Sequence, residues 1–146
     1  MDLRNYYLYI IKDHVAHYFY LREQMIFQLF KEFYESRGKE KEMIRKQIWY
    51  ITEAIPTLQI HRELVQHLQY RKDFFVKDGQ YMIQNKRGSA QLFIQERKLS
   101  IQASGSLDSE MILMDILKNL DVYFIAIDLE NERYGWIKPI KERHYS

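Results

Sequence analysis

Two almost uninterrupted apolar runs constrain the fold of this chain most strongly. The first runs from Tyr6 to Lys12, with aromatic and β-branched side chains at successive positions, and the second covers Val122 to Ile127. A strand that is apolar at successive positions has to be covered on both faces of its sheet. The first run therefore predicts a central strand, and the second predicts another buried strand.

Apolar residues follow a helical spacing after Asp13. Helices are predicted from Asp13 to Ser36, from Lys39 to Thr52 and from Thr57 to Tyr70. Gly38 separates the first two helices, and Pro56 ends the second because a residue before proline disfavours helical backbone. The expected core contacts of the third helix are Leu58, Leu64 and Leu68.

The second half of the chain is rich in short strands. We predict strands at Tyr81–Gln84, Ala90–Gln95, Leu99–Ala103 and Arg133–Ile137, with a helix from Leu107 to Leu120. Short polar turns join the first three strands, which favours an antiparallel meander. Residues 73–79 are predicted to form a loop whose Phe74, Phe75 and Val76 tuck inward.

The resulting order, βαααβββαββ, does not alternate between helix and strand. It predicts an α+β fold with one largely antiparallel sheet packed with helices. The chain has 146 residues, close to the commonest domain size, so we expect a single compact domain over residues 1–146.

Composition narrows the classes of function. The chain has no cysteine, which excludes disulfides and thiolate metal sites. Its start lacks the features of a secretory signal, and no apolar run approaches the roughly 20 residues that span a bilayer. We therefore expect a cytoplasmic protein with no membrane partner.

Sequence motifs for catalysis and cofactor binding are absent. The chain contains no GxGxxG, Walker A, HExxH, GxSxG or EF-hand pattern, so we expect no enzyme activity, no cofactor and no small-molecule substrate. His14 and His17 lie one helical turn apart but have no further ligands at convincing spacing, so no metal site is predicted. Residues 104–108 could bind an anion at a helix start, although a capping turn is the simpler interpretation.

Basic doublets leave a nucleic-acid-binding domain open as an alternative. Arg71-Lys72, Lys86-Arg87 and Arg97-Lys98 fall mainly in predicted turns and could face phosphates if the fold gathered them. The net charge is only +2, with acidic residues interleaved. Solvated turn charge is therefore the favoured interpretation, and we expect no direct contact with nucleic acid.

Aromatic residues exceed what the core of such a domain needs, with 12 Tyr and 8 Phe. Tyrosine suits interfaces because it combines an apolar body with a polar tip. Beside the core stripe of the first predicted helix, which includes Val15, runs a second row that includes Tyr18 and Leu21; the second helix has a similar row with Gln47 and Tyr50. These rows indicate a partner-binding surface, although helices that cover each other would show the same periodicity.

Four segments resemble a known family. They are Tyr6 to Lys12, His17-Tyr-Phe19, Lys46 to Thr52, and Arg133 to Arg143 with its Arg-Tyr-Gly-Trp start. Together they resemble the sporulation inhibitor of replication family, SirA, along most of the chain.

The resemblance implies a protein that binds the N-terminal domain of the replication initiator DnaA. Such binding would block initiation at the chromosomal origin as sporulation begins. Contacts would fall on the first two helices and involve Val15, Tyr18 and Gln47, with Tyr50 and Pro139 as further positions. Val15 also belongs to the core stripe.

Overall fold

The computed structural model describes residues 3–140. Its strands are β1 (Leu3–Ile11), β2 (Thr52–Glu53), β3 (Phe74–Lys77), β4 (Gln80–Asn85), β5 (Gly88–Ile94), β6 (Leu99–Gly105), β7 (Tyr123–Asp128) and β8 (Arg133–Trp136). Its helices are α1 (Asp13–Tyr18), α2 (Glu23–Glu35), α3 (Gly38–Ile51), α4 (Thr57–Leu68) and α5 (Asp108–Leu117).

All the described strands join one antiparallel sheet. The strand order is β3-β4-β5-β6-β1-β7-β8, and the short β2 also pairs with β1. Strand β1 pairs with β6 through residues 3–8, with β2 through Ile10 and Ile11, and with β7 through residues 7–11. The predicted central strand is therefore confirmed, as is the α+β class with a largely antiparallel sheet.

Alternate residues of β1 enter two different cores. Leu8 and Ile10 pack with α4, α5 and the β4–β6 meander, whereas Tyr9 and Ile11 pack with α1, α2 and α3. Strand β7 divides in the same way, since Phe124 belongs to the first core and Ile125 to the second. Because successive side chains of a strand point to opposite faces, an apolar run of this kind needs helices on both sides.

The predicted first helix is wrong in its length, because the structure breaks it in two. Helix α1 ends at Tyr18, and α2 begins at Glu23. Leu21 lies between them with a φ of +67°, in the left-handed region that interrupts a right-handed helix. The apolar spacing continues across this turn without a glycine or proline, so the pattern alone concealed the break.

Two further predictions in the middle of the chain are wrong. Residues 74–77 form β3 instead of a loop, and the side chains of Phe75 and Val76 are exposed. Strand β3 exists because it pairs with β4 from Phe74 opposite Ile83 to Lys77 opposite Gln80. Leu58 is exposed at the start of α4, while Leu64 and Leu68 are buried as predicted.

Helix α3 is fastened to the sheet at its C-terminal end. The backbone N–H of Lys12 donates to the Ile51 carbonyl at 2.9 Å. Arg97, in the turn between β5 and β6, donates from Nη2 to the carbonyls of Trp49 at 2.7 Å and Thr52 at 2.8 Å. A cation that donates to the last carbonyls of a helix also interacts favourably with its dipole.

The helices of the described segment are short or amphipathic. None of them is both long enough and apolar enough to cross a membrane.

Candidate protein-interaction site

Exposed apolar side chains gather around the turn between α1 and α2. Tyr18 is 65% exposed and Leu21 is 77% exposed, and Met25 on the first turn of α2 is exposed as well. The adjoining Phe19, Ile26 and Phe27 face the core and hold the turn against the sheet. The second row predicted for this region is therefore on the surface.

Tyr18 is exposed but held in place. The Arg22 Nη2 donates to the Tyr18 carbonyl at 2.5 Å, and the Arg22 guanidinium lies 4.8 Å from the centre of the Tyr18 ring. The ring also meets Phe19 edge-on, with ring centres 4.9 Å apart. An aromatic ring that is already ordered loses little conformational entropy when a partner covers it.

Glu23 joins the turn to the edge of the sheet. Its Oε1 accepts hydrogen bonds from the Leu21 backbone N–H at 3.1 Å and from the Trp136 Nε1 at 3.2 Å. Trp136 belongs to the Arg-Tyr-Gly-Trp segment in β8. This carboxylate therefore ties the strained turn to a strand more than a hundred residues away.

The C-terminal half of α3 completes the surface. Helices α2 and α3 are joined by residues 36 and 37 alone and pack against each other, so they form an antiparallel hairpin. The end of α3 therefore lies beside the start of α2. Gln47 is exposed there and Tyr50 is 68% exposed, whereas Ile44 and Ile48 are buried against α2.

We name the surface formed by Tyr18, Leu21, Met25, Gln47 and Tyr50 the hairpin patch. Lys12 lies next to it, with its Nζ 4.7 Å from the centre of the Tyr50 ring. Within residues 3–140 neither Lys12 nor Arg22 is in an ion pair. The hairpin patch is thus mainly apolar, with Lys12 and Arg22 lying over the rings of Tyr50 and Tyr18.

Val15 and Pro139, the other two predicted contact residues, lie outside the hairpin patch. Val15 is only 6% exposed and packs in the core beneath α1. Pro139 is exposed, between Lys138, whose Nζ donates to the Leu120 carbonyl at 3.1 Å, and Ile140, which is buried in the same core as Val15. Pro139 is thus a surface residue next to a residue of the α1–α3 core, whereas the Val15 side chain lies inside that core.

Sequence reasoning missed Trp49 and Arg97. Trp49 is half-exposed on α3, and the Arg97 guanidinium lies 3.9 Å from the centre of its ring. The exposed tryptophan beside Tyr50 was a signal that could have been used. Arg97 was noted only as part of a basic doublet, and its role at α3 could not be predicted because its partners are 45 and 48 residues away along the chain.

A buried hydroxyl network anchors α2 to the sheet behind the patch. The hydroxyls of Tyr9 and Tyr34 are 2.6 Å apart, and Lys98 Nζ donates to the Tyr34 hydroxyl at 2.9 Å. Burial raises the pKa of Tyr9 to about 12, and burial together with Lys41 lowers the pKa of Lys98. Both tyrosines therefore stay protonated at neutral pH and can share these hydrogen bonds.

The arginines of the basic doublets bind other groups of the chain. Arg71 pairs with Asp73 at 2.9 Å and Arg87 pairs with Asp108 at 3.3 Å. Arg97 is occupied at the end of α3. These contacts occupy the arginines of the three doublets.

Two weaker candidate sites also have local explanations. The Asp108 backbone N–H donates to the Ser106 hydroxyl at 3.2 Å, a local turn contact before α5, whose N-cap residue Leu107 makes no side-chain capping bond. His17 Nδ1 lies 2.8 Å from the Asp13 carbonyl and its ring meets Tyr123 edge-on. In the described part of the chain, no three His, Asp or Glu side chains are grouped so that they could hold a metal ion.

Residues 4–141 match the family described as "Sporulation inhibitor of replication protein SirA". This chain belongs to the SirA family. A SirA relative of that same description from Bacillus subtilis (strain 168) is 35% identical over 146 residues, which cover 97% of this chain and 98% of the relative. The SirA description names an inhibitor of replication and no enzymatic reaction.

Proposed function

We propose that this SirA-family protein inhibits replication initiation during sporulation by binding the N-terminal domain of DnaA. It acts in the cytoplasm by contact alone and blocks initiation at the chromosomal origin, without catalysis, cofactor or bound DNA. The names of the family and of the Bacillus subtilis relative support the replication-inhibitor role. The choice of DnaA rests on the family resemblance of the quoted segments.

The hairpin patch is the observation that carries the proposal. Exposed apolar side chains are ordinary when scattered, but a group of them on a rigid hairpin indicates a docking surface. Tyr18 and Tyr50 can bury ring area while their hydroxyls stay at the rim, and Gln47 offers both a donor and an acceptor. Few residues usually dominate such an interface, and ordered aromatic side chains are prominent among them.

The test is a calorimetric titration of the purified protein with the isolated N-terminal domain of DnaA. Leu21→Ser combined with Tyr50→Ser should weaken binding at least about tenfold, because both changes remove apolar contact area. The matched control is Leu58→Ser with Tyr70→Ser, which alters another exposed leucine and another exposed tyrosine, at and just beyond α4. The control should bind like the unmodified protein.

Two results would contradict the proposal. One is an absence of binding to the DnaA domain, and the other is equal weakening by both pairs of changes. A second titration, with duplex DNA, tests the alternative of a nucleic-acid-binding domain. Such a domain would bind DNA with an affinity that falls steeply as the salt concentration rises. We expect no heat of binding with DNA alone.

A further inference from the structure

A groove lies between α5 and β8, on the face of the sheet opposite the hairpin patch. It has a volume of about 410 Å³ and a mainly apolar lining that includes Met111 and Met114 of α5 and Leu107 just before this helix. The floor of the groove carries little side-chain volume, because Ala126 of β7 is paired there with Gly135 of β8. A Cβ placed on Gly135 would meet no heavy atom within 4 Å, so the space above this glycine is open.

Strand β8 is also an edge of the sheet, since β7 is its only neighbour within the described residues. The Ile137 backbone N–H donates to the Phe124 carbonyl at 3.1 Å. These two directly opposite residues therefore form a hydrogen-bonded pair of the antiparallel ladder. In an antiparallel ladder such pairs alternate with pairs whose backbone groups point outward. The register therefore turns the N–H and C=O groups of Tyr134 and Trp136 away from β7.

No described residue satisfies these outward groups. Among residues 3–140 no strand lies on this side of β8, and none of the turn and loop hydrogen bonds involves the backbone N–H or C=O of Tyr134 or Trp136. The edge thus presents two donors and two acceptors at a two-residue spacing, which is the complement of an extended chain. Directly opposite residues share a face, so a residue paired with Gly135 would point its side chain into the groove.

The charges around the groove indicate what that side chain is. Arg4 donates to Glu110 at 2.5 Å, Arg133 pairs with Asp128 at 3.0 Å, and Lys118 pairs with Asp115 at 3.0 Å. Each carboxylate of the lining is therefore neutralised within the chain. Charge complementarity favours an uncharged occupant, and methionine walls adapt to apolar side chains of different shapes.

We propose that the β8 edge binds an extended segment of a partner protein, which adds an antiparallel strand and places an uncharged apolar side chain over Gly135. Backbone hydrogen bonds to Tyr134 and Trp136 supply register, and the groove selects the side chain. This strand-addition site lies on the α5 face and is separate from the hairpin patch. It does not depend on the proposed contact with DnaA.

The experiment uses the full chain labelled with nitrogen-15 and the peptide acetyl-Lys-Thr-Val-Thr-Leu-Thr-Val-Thr-Lys-amide, followed by two-dimensional amide spectra. The amide signals of Tyr134 and Trp136 should shift on titration. A peptide with Asp in place of the central Leu should bind at least about tenfold more weakly, because the groove offers its charge no partner.

Gly135→Leu is the decisive variant, because its side chain fills the open groove. It should lose at least about tenfold in peptide affinity, whereas the matched control Val76→Leu, on the exposed edge strand β3, should bind normally. Met111→Glu, at an exposed position of the groove wall, provides the same test if Gly135→Leu fails to fold.

Three outcomes would overturn the proposal. The first is the absence of shifts at Tyr134 and Trp136, and the second is peptide binding that persists in both groove variants. The third is a protein that self-associates in sedimentation and becomes monomeric on Gly135→Leu, which would assign the edge to a second copy of the chain.

Discussion

Leu21 combines a strained backbone with an exposed apolar side chain. Its φ of +67° costs an ordinary L-residue about 1–2 kcal/mol, and its side chain gains nothing from the core because it is in solvent. Strain of this kind persists where the surroundings impose it, and it concentrates at functional sites. Here the hydrogen bond from Leu21 to Glu23 and the buried neighbours of the turn impose it.

Replacing Leu21 with glycine should separate stability from binding. Leu21→Gly should raise the free energy of unfolding by roughly 0.5–1 kcal/mol, since glycine adopts positive φ without a steric penalty but loses more chain entropy on folding. It should also weaken binding to the DnaA domain, because the leucine contact is gone. Urea unfolding and calorimetry measure the two effects.

Asp78→Gly is the control for this change. Asp78 has a φ of +52° in an exposed turn far along the chain from the hairpin patch. Its replacement should alter stability slightly and binding not at all. An unaltered affinity in Leu21→Gly would remove Leu21 from the contact surface.

Single residues differ in how far the sequence could predict them. Helical spacing placed Tyr18, Leu21 and Gln47 beside the core stripe, but it left open whether other helices cover them. The backbone of Leu21 could not be predicted, since no glycine or proline marks the turn. The contacts of Arg97 with Trp49 and Thr52 could not be predicted either, because folding brings these distant residues together.

At the scale of elements, the β7–β8 hairpin depends on one buried carboxylate. Asp128 accepts hydrogen bonds from the Asn131 backbone N–H at 3.1 Å and side chain at 2.9 Å, and from the Arg133 Nη2 at 3.0 Å. Burial favours its neutral form, but the hydrogen bonds from Asn131 and Arg133 outweigh burial and lower the pKa of Asp128. The ionised carboxylate therefore stabilises the folded hairpin.

This lowered pKa predicts a contribution to acid sensitivity. The stabilisation by Asp128 should be complete above about pH 4, the ordinary aspartate pKa, and should be lost as the pH falls through the lower folded value. Asp128→Asn should reduce stability at pH 7 and flatten the loss of stability below about pH 4. Urea unfolding between pH 7 and pH 2 measures both effects.

Asp115→Asn provides a comparison at an exposed ion pair on α5. It should change stability by less than about 0.5 kcal/mol at any of these pH values. An acid profile of Asp128→Asn that matches the unmodified protein would show that this carboxylate does not stabilise the hairpin through its charge.

Elements were predictable where local pattern and tertiary context agree. The meander and both apolar strands were found because their burial pattern is strong. Strand β3 was missed, since two of its apolar side chains are exposed and only pairing with β4 makes it a strand. The two-residue β2 likewise exists only through its pairing with β1.

At the scale of the whole molecule, each face of the sheet forms one wall of a separate hydrophobic core. Strands β1 and β7 contribute alternate residues to both, so neither core can form without them. The class and most of the element order were predictable because continuous apolar runs require cover on both faces. The order of the strands in the sheet could not be predicted, because it depends on pairings between distant segments.

The shared strands predict one cooperative unfolding transition and hence a single domain. Tryptophan fluorescence reports on Trp49 and Trp136, both on the side of α1–α3, while far-ultraviolet circular dichroism reports on all elements. Their urea midpoints should coincide. Two separated transitions would instead indicate that the two cores fold as independent units.

The central claim is that the hairpin patch binds a protein partner, and Tyr18→Ala tests it most directly. The comparison is Tyr70→Ala, which alters a tyrosine that is 91% exposed beyond α4. In titrations with the N-terminal domain of DnaA, Tyr18→Ala should weaken binding by about 1–3 kcal/mol, with the melting temperature nearly unchanged. Tyr70→Ala should change neither quantity. Unaltered affinity in Tyr18→Ala, or a loss of affinity that accompanies loss of the fold, would contradict the claim.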